Sequence, residues 1–173
     1  MGSPLPVLTT DRLLLRHFGP EDAPFILRLL NEPSWLQNIG DRGVRTIADA
    51  QRYIENGPVE MYAWLGFGLY QVCLAASNEP IGMCGLLKRE ALDDVDLGFA
   101  FLPEYWGNGY AHESCGAVIS YARSHLRLAR IVAITNFGNH ASRRVLERLG
   151  FGLERAIRLE PAAEEVLLYA HDP

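Results

Sequence analysis

Two groups of residues in this chain have types and spacings that could do chemistry. The first is Gly107 and Gly109, which fall between an apolar run and the start of an amphipathic segment. Glycines at such a junction let the backbone approach a ligand closely, and the free N–H groups of the helix that follows make an anion site at the positive end of its dipole. The anion read here is a pyrophosphate. The second is Asp96, on the face of a strand over Val95–Leu102 that also carries Gly98, Ala100 and Leu102, opposite Leu97, Phe99 and Phe101. Two small residues beside a carboxylate leave room for a ligand, and a carboxylate in such a place can accept a proton. A Walker loop would need GxxxxGK followed by Ser or Thr, and no such run exists. A dinucleotide fingerprint would need a third glycine where His112 stands and an acidic residue where the next strand instead ends in Asn136. A tight strand-to-helix connection with no ligand remains the plain alternative at this point.

The elements that must position these residues follow from pattern. Pro103 ends the central strand, and a helix runs over Ala111–Leu126 with Cys115, Val118, Ile119 and Ala122 on its buried face. Ile131–Thr135 reads as a strand. Asn139 is a good N-cap for a helix over His140–Leu149, and Gly150 is the expected left-handed residue after it. Upstream, Leu8–Phe18 reads as one strand, and Gly19–Asp22 opens a helix that Glu32-Pro33 ends. Ser34–Arg45 reads as a loop, and Thr46 with Asp49 forms a capping box for a helix through Ile54, stopped by Gly57-Pro58. Gly68–Ala76 and Ile81–Lys88 read as a hairpin, with Met61, Tyr62, Trp64 and Phe67 packing ahead of it. Phe151–Leu159 and Glu164–Ala170 read as a closing antiparallel pair. Met1–Pro6 is expected to be a flexible leader. His112 and His125 read as surface residues and not as bases.

At 173 residues one domain is the natural count. The strands and helices add up to a single α/β domain, an α+β arrangement with a mixed, mostly antiparallel sheet. The composition, 49% apolar and 21% charged, is that of a soluble globular protein. The net charge of −5 argues against a nucleic-acid partner and is permissive of cationic amines. Cys73, Cys84 and Cys115 are an odd count without CxxC spacing, so no metal site is expected and the thiols read as buried and reduced. No signal peptide or membrane span is visible, which makes the cytoplasm the expected location and a membrane partner unexpected.

The run LPEYWGNGYAHE (Leu102–Glu113) resembles the coenzyme-binding motif of the GNAT N-acetyltransferases, Gln/Arg-x-x-Gly-x-Gly/Ala, with Trp106, Gly109 and Ala111 at its first, fourth and sixth positions. Tryptophan at the first position departs from the pattern and is similar to the branch of ribosomal-protein N-terminal acetyltransferases. Thr9–Ala23, NHASRRVLERLGF (Asn139–Phe151) and EEVLLYAHDP (Glu164–Pro173) resemble that branch's first strand and helix, its late helix and its last strand.

The resemblance implies a GNAT fold whose two central strands, Val95–Leu102 and Ile131–Thr135, splay apart. It implies acetyl-CoA as co-substrate and a primary amine, either a protein N-terminus or a small molecule, as acceptor, in a monomer or homodimer. Its coenzyme residues would be Phe99, Ala100 and Phe101 for the pantetheine arm, Trp106, Gly107, Asn108, Gly109, Tyr110 and Ala111 for the pyrophosphate, and Asn136 and Asn139. Trp35, Asp41 and Arg42, in the stretch that overhangs the acceptor pocket in this family, would touch substrate. Asp96 would accept the amine proton. Many members use a tyrosine seven residues after the family asparagine to protonate the leaving thiolate, but that position is Leu146 here, so Ser142 is the candidate. The competing expectation is an acyl-CoA sensor with no catalytic activity.

Overall fold

The β-sheet is mixed, and its one parallel pair lies at the centre. The computed structural model describes residues 5–173. Among them are β1 (Pro6–Thr9), β2 (Leu13–Arg16), β3 (Leu69–Leu74), β4 (Pro80–Leu87), β5 (Asp96–Phe101), β6 (Ile131–Thr135), β7 (Gly152–Arg158) and β8 (Glu165–His171). They form one sheet in the order β1-β2-β3-β4-β5-β6-β8-β7. Every neighbouring pair is antiparallel except β5 and β6.

That exception shapes the molecule. β5 pairs along its whole length with β4, and β6 does the same with β8. Between β5 and β6 the register holds only at Asp96 with Val132, fixed by the Val132 N–H donating to the Val95 carbonyl at 3.0 Å. Beyond that point the two strands part. Each is held by its outer neighbour, so sheet twist opens the gap between them. The expected splay is present.

Helices cover both faces. On one side α5 (Tyr110–Ser124) and α6 (His140–Arg148) lay Cys115, Val118, Ile119, Ala122 and Leu146 against Leu97, Phe101, Ile131 and Tyr169. On the other, α1 (Ala23–Leu30), α2 (Pro33–Asn38) and α3 (Ile47–Ile54) pack Ile26, Leu30, Trp35 and Ile54 against Leu69, Met83 and Leu102. The alternation read along β5 is borne out: Leu97 and Phe101 enter the first core, Leu102 the second. No helix among the described residues is long and apolar enough to cross a membrane.

Four expectations about elements need correction. Leu8–Phe18 is a hairpin, with Thr10 closing a turn through its N–H to the Leu13 carbonyl at 2.9 Å. The first helix ends at Leu30, just ahead of Glu32-Pro33, but Pro33 also opens a new one, because a proline at the first helical position lacks only an N–H that would be unpaired anyway; the stretch read as a loop therefore contains α2. Gly57-Pro58 does not stop α3. The chain widens into a π turn over Glu55–Val59 and continues as α4 (Glu60–Leu65), ending at Gly66 with φ +75°. Tyr62 fixes this extension: its hydroxyl donates to the Leu69 carbonyl and accepts from the Phe18 N–H. Finally, Pro6 belongs to β1; residues 1–4 of the expected leader lie outside the described residues.

The capping box of α3 is present as read. The Thr46 hydroxyl accepts from the Asp49 N–H at 3.1 Å, and the Asp49 carboxylate accepts from the Thr46 N–H at 3.0 Å. Thr46→Ala is expected to cost about 1 kcal/mol, read as a lower urea midpoint at unchanged slope. An unchanged midpoint would mean that the cap contributes nothing.

Candidate active site

The parted strands open into a cleft of 1510 Å³, larger than one small ligand needs, running from the start of β5 to the glycine loop. β5 spans five residue steps, so its ends are roughly 17 Å apart.

At one end is the glycine loop. Gly107 and Gly109 have φ of +78° and +81°, and Gly109 is the N-cap of α5. The first N–H groups of this helix have no acceptor within it. The loop is braced from several sides. The Trp106 indole N–H donates to the Phe101 carbonyl at 2.9 Å, and the Asn108 amide donates to the Tyr105 and Trp106 carbonyls, each at 3.2 Å. Arg12 donates to the Asn108 carbonyl at 2.9 Å, lies 4.6 Å from the Tyr110 ring centroid and pairs with Glu113 at 2.6 Å. Trp106, Gly107, Gly109, Tyr110 and Ala111 line the cleft, as do Phe99, Ala100 and Phe101 of β5; Asn108 turns instead into the loop.

At the other end is Asp96, almost fully buried at 1% relative exposure yet part of the cleft lining. Arg89 reaches it from the β4–β5 connection, its Nε at 3.3 and 3.2 Å from the two carboxylate oxygens. Burial pushes the Asp96 pKa up, and Arg89 draws it part of the way back. Tyr53 of α3 also lines the cleft; burial raises its phenol pKa, opposed by the charges of Arg42 and Arg89.

Across the cleft, Asn136 at the end of β6 donates to the Asn38 carbonyl at 2.8 Å and ties α2 to the sheet. Asn139 caps α6 by accepting from the Ser142 N–H at 3.2 Å. Ser142 is half-buried in the first turn, lines the cleft, and its hydroxyl has no protein partner among the described residues. Leu146 is in the core.

Of the three expected acceptor-side residues, Arg42 lines the cleft and is exposed. Trp35 contributes to the lining but is mostly core, its indole N–H buried without a partner. Asp41 does not line the cleft: it pairs with Arg45 at 2.6 Å and accepts from the Gly43 N–H. All three cysteines are buried and free, and none lines the cleft; Cys84 and Cys115 face each other at 3.6 Å between sulfurs.

Sequence reasoning passed over Arg12, Tyr53, Arg89, Arg144 and Arg148. Arg144 and Arg148 stand four residues apart on α6 and both line the cleft; that spacing was a visible sign of one basic face. Arg12 carried no local sign, since its partner lies 101 residues away.

Comparison with known proteins agrees with this geometry. The family described as "Acetyltransferase (GNAT) domain" matches residues 12–152. An uncharacterised N-acetyltransferase of Bacillus subtilis, YoaA, is 30% identical over 155 residues, covering 88% of this chain and 86% of its own. Among solved structures, the acetyltransferase of Agrobacterium tumefaciens superposes with a TM-score of 0.83 at 25% identity over 100% of this chain and 98% of that one. RimL, a ribosomal L7/L12 α-N-protein acetyltransferase solved in complex with coenzyme A, superposes with a TM-score of 0.81 at 19% identity over 96% and 97%.

Proposed function

The chain belongs to the GNAT acetyltransferase family, and from that premise we propose that it moves an acetyl group from acetyl-CoA to a primary amine by direct attack on the thioester. It is an acyltransferase, with acetyl-CoA as co-substrate. The observation that carries the finer reading is the parting of β5 and β6 beyond Asp96 and Val132. The facing backbone edges then have no ladder partner across the gap, which suits an extended pantetheine arm hydrogen-bonding there as an added strand. The N–H groups from Gly107 to Ala111 suit the pyrophosphate, and Arg148, which shares a surface hollow with Gly109, adds positive charge near it.

Chemistry at the apex of the gap needs a neutral amine, a donor for the oxyanion and relief for the departing thiolate. The amine attacks the thioester carbonyl, giving a tetrahedral intermediate that collapses to the amide and the free thiol. A backbone N–H of β5 suits the oxyanion and would contribute about 3 kcal/mol. Asp96, raised in pKa and facing the cleft, takes the amine proton, directly or through water. The absence of cysteine from the cleft lining favours direct transfer over an acyl-thiol on the protein. Acetyl-CoA should raise the melting temperature, and adding amines should then release free thiol. Stabilisation without thiol release from any amine would reduce the protein to a coenzyme binder.

Gly109 tests the pyrophosphate assignment. A Cβ there would meet only the Arg12 guanidinium, at 3.5 Å, so space is not the obstacle; φ of +81° is. A β-branched residue cannot hold that angle without strain, so Gly109→Val should turn the N–H groups away from the anion. Acetyl-CoA affinity is expected to fall at least tenfold, about 1.4 kcal/mol. Unchanged affinity by calorimetry in a folded variant would reject the assignment.

A further inference from the structure

The cleft lining reverses the charge of the molecule. The whole chain carries −5, yet the cleft is lined by five arginines (42, 52, 89, 144 and 148) against two aspartates (49 and 96), with no lysine or glutamate. Arg148 borders the surface hollow shared by Arg12, Gly109 and His112, beside the glycine loop, and Arg144 stands four residues before it on α6; both suit the proposed phosphate site. Two of the other three arginines are matched, Arg52 by Asp49 and Arg89 by Asp96. Arg42 has no acidic partner among the described residues. Tyr53 lines the same cleft, its hydroxyl also without a hydrogen-bond partner among the described residues and kept protonated by burial. The cleft thus offers one buried carboxylate and, with it, a guanidinium without an acidic partner and a phenol with a hydrogen to donate. A guanidinium matches a carboxylate bidentately and matches a neutral amide poorly.

We propose that the acceptor is a small amine bearing its own carboxylate, of the α-amino acid type, with the carboxylate held by Arg42 and Tyr53 and the amine turned toward Asp96. This rests on the N-acetyltransferase reading and names its substrate class. A protein N-terminus presents a peptide carbonyl in place of the carboxylate and would leave Arg42 unmatched.

The test uses full-length enzyme and four probes: L-leucine, L-phenylalanine, the primary amides of both, and a five-residue peptide with leucine first and a blocked C-terminus. The expected result is a kcat/KM for each free amino acid at least tenfold above that for its amide and for the peptide. In folded Arg42→Gln that ratio should fall to within threefold, the loss residing in KM for the amino acid, with acetyl-CoA affinity intact; Tyr53→Phe should lower it part of the way. Amides or peptide used as well as the free acids would overturn the inference and leave acetyl transfer standing. A preference for the free acids that persists in both variants would overturn the assignment to Arg42 and Tyr53. No turnover of any amine, with acetyl-CoA still stabilising the protein, would overturn the transfer reading and this inference with it.

Discussion

Asp96→Asn is expected to lower kcat/KM about 10²–10⁴-fold at neutral pH, the usual loss for a general base, while the protein stays folded and binds acetyl-CoA normally. The carboxylate is 1% exposed and held by a single guanidinium at 3.2–3.3 Å, contacts too long to be strong. Burial outweighs Arg89, so the folded pKa is raised above the usual carboxylate value. A raised pKa makes a better base near neutrality than an ordinary aspartate. It also fixes the sign of the stability change. The native state holds this proton more tightly than the unfolded chain, so the group's contribution is fully present below the unfolded carboxylate pKa and is lost as pH rises through the folded one. At neutral pH the buried charge is a cost, and asparagine removes it; Arg89, 31% exposed at its side chain, can turn to water. The melting temperature of Asp96→Asn should therefore be no lower than wild type at pH 7. The kinetic deficit should shrink as pH rises and the amine deprotonates unaided. If Asp96 served only to hold Arg89, the deficit would be small and flat with pH. Full activity of Asp96→Asn at pH 7 would remove Asp96 from the chemistry.

How much of this site could be read beforehand depends on the range of each signal. Gly107, Gly109, Asn139 and Gly150 were legible because left-handed φ and helix capping are properties of a few adjacent residues. Asp96 was legible because strand alternation places it beside Gly98 and Ala100. Gly57-Pro58 misled because the rule that proline ends a helix is local, whereas the continuation into α4 is held by Tyr62 bonding to Leu69 and Phe18. The turn at Thr10 lies in the polar break Thr9–Arg12 between Val7-Leu8 and Leu13–Leu15, which the reading of one continuous strand ran through. Arg12 and Arg89 act on groups that only the fold brings near, Glu113 and Asp96, and a single guanidinium looks like any surface charge in the sequence. Asp41 erred in the opposite direction. It sits one residue from Arg42, yet Gly43 and Arg45 draw its carboxylate out of the cleft.

Ser142→Ala is expected to lower kcat about 10²-fold or more while leaving stability and acetyl-CoA affinity nearly intact. The thiolate that leaves the thioester needs a proton or a strong hydrogen bond. The position where a tyrosine would stand is Leu146, buried in the core with no proton to give. Ser142 lines the cleft from the first turn of α6 with its hydroxyl unpaired among the described residues, and the positive end of that helix favours negative charge nearby. The hydrogen bonding makes the substitution clean. Asn139 caps the helix by accepting from the Ser142 backbone N–H, not from its hydroxyl, so alanine keeps the cap. A purely structural serine would then lose almost nothing, since alanine is the better helix former. Removing the cap itself, with Asn139→Ala, should cost about 1 kcal/mol of stability and serves as the contrast. The measurement is a single-turnover rate, where chemistry and not product release is observed. A wild-type rate in folded Ser142→Ala would leave the thiolate to water and to the field of α6. A slow rate with an unchanged melting temperature would make the hydroxyl the group that meets the departing sulfur.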